Sequence, residues 1–161
     1  MKINNLKLIA HRGNINGPNP KLENSPLEID KTLSKGYDVE LDLWFINEKL
    51  FLGHDEGQYE INLNWLEQRK ERLWIHCKNL SSIKFLKEIK CDFNFFFHES
   101  DFCTLTSKGF IWTRPGEELT KFSICVMPEY ASKDWELNIL EFINIPFGVC
   151  SDYINLIKNS I

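Results

Sequence analysis

The chain has 161 residues, a length that suits one domain with its own core and leaves no room for a second of ordinary size. Its net charge of -4, with Lys and Glu interspersed, offers no basic stripe to neutralise a run of nucleic-acid phosphates, and no apolar run reaches bilayer-spanning length, so nucleic acid and stable membrane insertion are excluded as partners. Apolar and charged fractions in the ordinary range exclude disorder, while 12 Phe and 5 Trp point to a tightly packed interior or an aromatic-lined cleft.

The first apolar run, Leu6 to Ala10, reads as a strand ending at His11-Arg12-Gly13; the short stretch after Met1-Lys2 lacks the h-region of a signal peptide, and a cytoplasmic protein is expected. A loop rich in Asn, Pro and Gly follows from Asn14 to Pro20. Ser25 as N-cap, Pro26 at the first helical position and Glu28 completing a capping box then predict a helix that stops at Gly36. From Asp38 to Trp44 the sequence alternates with period two, which puts Glu40 and Asp42 on one face and Val39, Leu41 and Leu43 on the other.

A tight turn near Asn47-Glu48 leads into Leu50-Phe51-Leu52-Gly53 and His54-Asp55. Leu73 to Lys78 alternates again, with Leu73, Ile75 and Cys77 opposite Trp74, His76 and Lys78. Leu80 to Lys90 has helical spacing, and Phe93–Glu99, Phe110–Arg114, Ile124–Glu129 and Phe147–Asp152 read as strands that turn polar at their C-terminal ends. The implied fold is α/β: a compact TIM-type barrel, reduced or irregular between residues 99 and 147, where connections are too short for full helices. On such a fold His11, Asp42, His54, Lys78, Glu99, Arg114, Glu129 and Asp152 converge on one rim. The 5 cysteines are odd in number and form no C-x-x-C pair, so reduced core thiols are expected.

Two carboxylates on one strand face, Glu40 and Asp42, suit a hard divalent cation, although the same pattern also occurs on solvated faces. His11 and His54 each end an apolar run, where a ring can project into a cleft and exchange protons near neutral pH. Arg12 offers a bidentate contact to phosphate or a salt bridge. Together these are the parts that phosphodiester cleavage needs: charge neutralisation, a base and an acid.

The order of the motifs adds to this. Ile9-Ala10-His11-Arg12-Gly13, then Glu23-Asn24-Ser25, then Val39-Glu40-Leu41-Asp42-Leu43, then Leu52-Gly53-His54-Asp55 resembles the signature of the glycerophosphodiester phosphodiesterase family, within the phospholipase C-like phosphodiesterases. Gly148-Val149-Cys150-Ser151-Asp152-Tyr153 is similar to that family's last barrel strand. The resemblance implies His11 and His54 as a general acid/base pair, Arg12 and Lys78 as substrate-binding residues, Asn24 as a substrate-binding residue or one that positions a ligand, with local capping as its alternative, and Glu40 and Asp42 as metal ligands.

His76 stands where the family commonly has a glutamate ligand. It is a third metal ligand, a non-ligand site residue (an extra acid/base group or a phosphate donor) or a structural residue, and as a ligand it shifts the expected ion from Mg²⁺ or Ca²⁺ toward Mn²⁺ or Zn²⁺. Farther along, His98 with Glu99, Trp112 with Arg114, and Glu129 with Tyr130 sit where they can select the alcohol groups of a substrate. The expected activity is metal-dependent cleavage of a small glycerol-type phosphodiester. A phosphoester-binding module that has lost efficient catalysis is the alternative.

Overall fold

The computed structural model describes residues 6–161. In chain order its elements are β1 (Lys7–His11), α1 (Pro26–Ser34), β2 (Asp38–Ile46), β3 (Lys49–Leu52), β4 (Tyr59–Ile61), α2 (Leu63–Glu67), β5 (Leu73–Cys77), α3 (Leu80–Glu88), β6 (Phe95–Phe96), β7 (Cys103–Leu105), β8 (Ile111–Thr113), β9 (Ser123–Val126), α4 (Ile139–Ile143), β10 (Gly148–Ser151) and α5 (Ile154–Asn159). The architecture is mixed α/β around one curled sheet. Strands β6-β5-β2-β1-β10-β9-β8 run parallel in that spatial order, β7 adds antiparallel to β8, and β3 and β4 form an antiparallel extension of β2.

The alternation read in β2 and β5 becomes a division between the two faces of the sheet. Val39, Leu41, Leu43, Leu73, Ile75 and Cys77 pack with Ile29 of α1, Leu86 of α3, Ile143 of α4 and Ile157 of α5 in the larger core. Each such side chain contributes about 1.5–3 kcal/mol when fully buried. Ile9, Trp74, Phe96, Trp112, Ile124 and Cys150 form a second, smaller cluster on the other face. There Phe96 stacks on Trp112 at 4.5 Å between ring centroids, and Trp74 lies 6.0 Å from Trp112. Two edge strands, β6 and β7, approach each other without a ladder: the Ser107 N–H donates to the Phe95 carbonyl at 2.8 Å and the Thr104 hydroxyl to the Phe97 carbonyl at 3.0 Å.

Local chemistry sets the boundaries. Ser25 caps α1 by accepting the Glu28 N–H at 3.2 Å, with Pro26 at the first position; only that half of the expected capping box forms, because the Glu28 carboxylate turns to Lys31. Asn47 and Glu48, with φ of 49° and 63°, make the two-residue hairpin turn between β2 and β3. Asn79 caps α3 through the Ser82 N–H, a signal the helical spacing alone did not mark.

Two expected strands are shorter than their apolar runs. Phe93–Glu99 forms pairs only at Phe95–Phe96. Ile124–Glu129 ends at Val126, because Met127 adopts a left-handed conformation (φ 48°) and Pro128 opens a 3-10 turn that carries Glu129 off the strand. Between residues 99 and 147 the chain makes the β7–β8 hairpin, β9 and the five-residue helix α4, so full crossover helices are absent there. All five cysteines are free: Cys77, Cys125 and Cys150 are core thiols as expected, whereas Cys91 is half-buried and Cys103 is exposed at the edge strand β7, whose side chains alternate outward. Among the described residues no helix is long and apolar enough to cross a membrane.

Candidate active site

Parallel register brings the motif residues together. β1 sets His11 beside Glu40 on β2, and β5 sets His76 beside Asp42. His11, Arg12, Glu23, Glu40, His54, His76, Lys78, His98, Glu99, Tyr130 and Asp152 then line one cleft of about 420 Å³ at the C-terminal ends of the parallel strands. Glu40 and Asp42 are 2% and 0% exposed, so the solvated-face reading of this carboxylate pair does not hold.

His11 is held from the far end of the chain. Its Nδ1 lies 2.8 Å from an Asp152 carboxylate oxygen, the same oxygen that accepts a hydrogen bond from the Asn14 amide at 2.8 Å. With Nδ1–H given to Asp152, Nε2 is left toward the cleft, 3.9 Å from Glu40. Burial would lower the proton affinity of the ring, but the Asp152 hydrogen bond and the charge of Glu40 outweigh it, and the His11 pKa lies above its usual value.

Arg12 adopts a left-handed conformation (φ 52°) that turns its backbone N–H onto Glu40 at 3.2 Å. Its guanidinium does not present an empty fork. One NH group binds Glu23 at 3.1 Å, Nε lies 3.1 Å from Asp42, and the other NH group reaches His54 Nε2 at 3.3 Å. Asn14 ties Glu23 to this network at 3.0 Å, which makes the Asn14–Pro20 loop part of the site's wall.

Asp42 is the hub. Asn24, itself left-handed (φ 61°) and 1% exposed, donates its amide to the Asp42 carboxylate and accepts the Asp42 backbone N–H, both at 2.9 Å. Both polar atoms of the Asn24 amide are therefore directed at Asp42, and Asn24 does not line the cleft. His76 Nδ1 at 3.1 Å, His54 Nδ1 at 3.4 Å and Lys78 Nζ at 3.5 Å complete the surroundings. Burial would raise the Asp42 pKa, but His54, His76, Arg12 and Lys78 together hold it well below the carboxylate range. Glu40 is pushed the other way, by burial first and then by the Asp42 charge beside it. The two carboxyls thus have opposite proton affinities.

One ligand atom from each of Glu40, Asp42 and His76 lies within 4.8 Å of the others. A divalent ion holds such donors at about 2.0–2.2 Å, so these three are near enough to converge on one with small side-chain adjustment. Buried Asp42 Oδ1, met only by the ion-pair contacts of His76 and Lys78, is the atom on which such a cation would bear most directly.

Other rim residues divide. Glu99 and Tyr130 line the cleft, whereas Arg114 lies in an adjoining cavity of about 340 Å³ that shares His98, Glu99, Trp112 and Val126 with it. Glu129 faces away from the cleft, because its carboxylate accepts the Ser151 hydroxyl and the Asp152 N–H, each at 2.9 Å. Asn14 was not marked by its type or position in a loop rich in Asn; only the contact with Asp152, 138 residues away, identifies it. His98 stacks on His76 at 4.6 Å, and burial together with the charges of His76 and Lys78 pushes its pKa down to about 4, so it is neutral at pH 7.

Comparison with protein-family models, with curated proteins and with solved structures found no match for this chain.

Proposed function

We propose that this chain is a short, divergent relative of the glycerophosphodiester phosphodiesterases, on a reduced TIM-type barrel, that cleaves a small glycerol-type phosphodiester. One observation carries the reading: an imidazole oriented by a carboxylate, His11 on Asp152 at 2.8 Å, opens onto the same cleft as the Glu40–Asp42–His76 triangle and the cations Arg12 and Lys78. Proton transfer and charge neutralisation are then available on one bound phosphodiester. The free thiols suit a reducing, cytoplasmic setting.

In this reading the phosphodiester lies against Arg12 and Lys78, whose charges are held in place by Glu23 and Asp42. His11, with a raised affinity for protons, takes the proton of the attacking hydroxyl, either water or a neighbouring substrate hydroxyl. His54, half-exposed at the mouth with Nδ1 toward Asp42, takes a proton from solvent on Nε2 in exchange for its Arg12 contact and passes it to the departing oxygen. Asn24 holds Asp42, and Asn14 holds Asp152, so neither carboxylate turns when substrate arrives. A divalent ion on Glu40, Asp42 and His76 would supply further charge stabilisation for the phosphoryl oxygens.

Phosphorus NMR of a panel of glycerophosphodiesters, with Mg²⁺, Ca²⁺, Mn²⁺, Zn²⁺ or chelator, tests this directly. The expected result is a metal-dependent phosphomonoester or cyclic phosphate. A second reading, a module that binds phosphoesters without turning them over, is favoured by the Arg12 guanidinium being already engaged by Glu23 and Asp42. Calorimetric binding of glycerol phosphate with no product under any metal would select it.

A further inference from the structure

We infer that the ion held by Glu40, Asp42 and His76 is a nitrogen-tolerant transition metal of the Mn²⁺-to-Zn²⁺ series and not Mg²⁺ or Ca²⁺, with the His98 carbonyl fixing the His76 nitrogen that binds it. The inference rests on the metal reading of this site and specifies its ion.

His76 Nε2 lies 3.2 Å from the His98 carbonyl oxygen. A carbonyl only accepts, so Nε2 carries the hydrogen and Nδ1 is the nitrogen turned to the carboxylates. It faces Asp42 Oδ1 at 3.1 Å and Glu40 Oε1 at 3.9 Å. A cation must join these groups, either a metal ion or a proton on Nδ1. The ring is also held by packing: His76 lies nearly parallel to His98 at 4.6 Å and to Phe96 at 5.2 Å, and those two rings are 5.8 Å apart. Asp42 Oδ1 is fully buried without a hydrogen bond, and Lys78 Nζ approaches it only to 3.5 Å. The protein has thus gathered a nitrogen donor and two carboxylates, one of them with a buried oxygen met only by ion-pair contacts, close enough to share one ion.

The donor set decides the ion. Ca²⁺ gathers six to eight oxygens and Mg²⁺ requires near-octahedral oxygen ligands, whereas imidazole nitrogen suits the later divalent metals. A backbone carbonyl on the remaining N–H is the usual device for fixing a metal-binding histidine. The competing arrangement is a metal-free imidazolium that donates Nδ1–H to Asp42.

The test is calorimetry of the metal-stripped full chain with Zn²⁺, Mn²⁺, Mg²⁺ or Ca²⁺ in turn, in a Cys103→Ser background that removes the exposed thiol. The expected result is one equivalent of Zn²⁺ or Mn²⁺ bound on the order of a hundredfold more tightly than Mg²⁺ or Ca²⁺. His76→Glu should narrow or invert that order. Equal affinity for all four ions, or an unchanged order in His76→Glu, overturns the selection by His76 while leaving a metal site in place. Binding of none of them overturns the inference together with the metal reading. Should His76→Glu fail to fold, ring ¹⁵N NMR of the native sequence decides: Zn²⁺ should move the His76 Nδ1 resonance from that of a free lone pair, and a His76 ring unaffected by Zn²⁺, or protonated on both nitrogens in its presence, overturns it.

Discussion

The two flanks of the curled sheet are built differently. On the β1–β2–β5 flank the strands span five to nine residues, and helices α1, α3 and α5 cover the outer face. On the β6–β9 flank the strands span two to four residues and are joined by turns. Glu40, Asp42 and His76 all stand on the first flank, where the β2–β5 ladder sets Asp42 against His76 and the β1–β2 ladder sets Glu40 against His11, fixing side-chain position. The second flank contributes aromatic volume, Phe96 and Trp112, and the wall of the adjoining cavity. The difference teaches that a site needs a rigid ladder only beneath the groups that must meet at a fixed distance. The opposite wall can be held by packing alone.

The largest effect tests the chemical flank. His11→Ala should lower kcat on a glycerophosphodiester about 10²–10⁴-fold while binding of glycerol phosphate persists, whereas Arg114→Ala on the other flank should leave turnover near that of the parent. Retained activity in His11→Ala, measured by phosphorus NMR, would break the assignment. Next, Trp112→Ala should cost about 3–5 kcal/mol in urea denaturation, because it removes the ring on which Phe96 stacks. A cost below about 1 kcal/mol would mean that the second flank is not held by its aromatic rings.

Smaller again is Asn24→Ala, which strips both hydrogen bonds from buried Asp42 and should cost about 1–3 kcal/mol with a parallel loss of metal affinity. Loss of stability without any change in metal binding would separate Asn24 from the site. The smallest effect is on pH dependence. Burial raises the Glu129 pKa, and the Asp152 charge adds to this, against the hydrogen bonds from Ser151 and Asp152 N–H. The folded state therefore holds this proton longer than the unfolded chain does, so stability from this group is present below about pH 4.5 and is lost as pH rises through the folded value. Glu129→Gln should fall less in stability than the parent between pH 4.5 and pH 7. Parallel curves by thermal melts would contradict it.

The same contrast explains what the sequence made legible. Period-two alternation in Asp38–Trp44 and Leu73–Lys78 assigned inward and outward faces correctly, because these strands are long enough for the pattern to repeat. The cleft residues His11, Arg12, Glu40, His54, His76 and Lys78 lie in or beside such patterned runs, but it is the order of the motifs, and their resemblance to a phosphodiesterase signature, that singles them out. The short strands were overextended, since apolar residues there serve ring stacking and not ladder pairing, as at Phe93–Glu99. Glu129 was misplaced because one left-handed residue, Met127, redirects the chain without any glycine to announce it. The role of Asp152 as the partner of His11 depends on β1 lying beside β10, a contact between the two ends of the chain that no local pattern encodes.

The aromatic cluster also gives the molecule an optical handle. Trp74 and Trp112 lie 6.0 Å apart, and Trp112 stacks on Phe96, which in turn stacks on His76. Indoles this close interact electronically as well as sterically, so the near-ultraviolet dichroism of the pair reports whether the two flanks have come together. Because His76 is in the same stack, occupancy of the cleft is expected to alter that signal in the native chain, with no label attached.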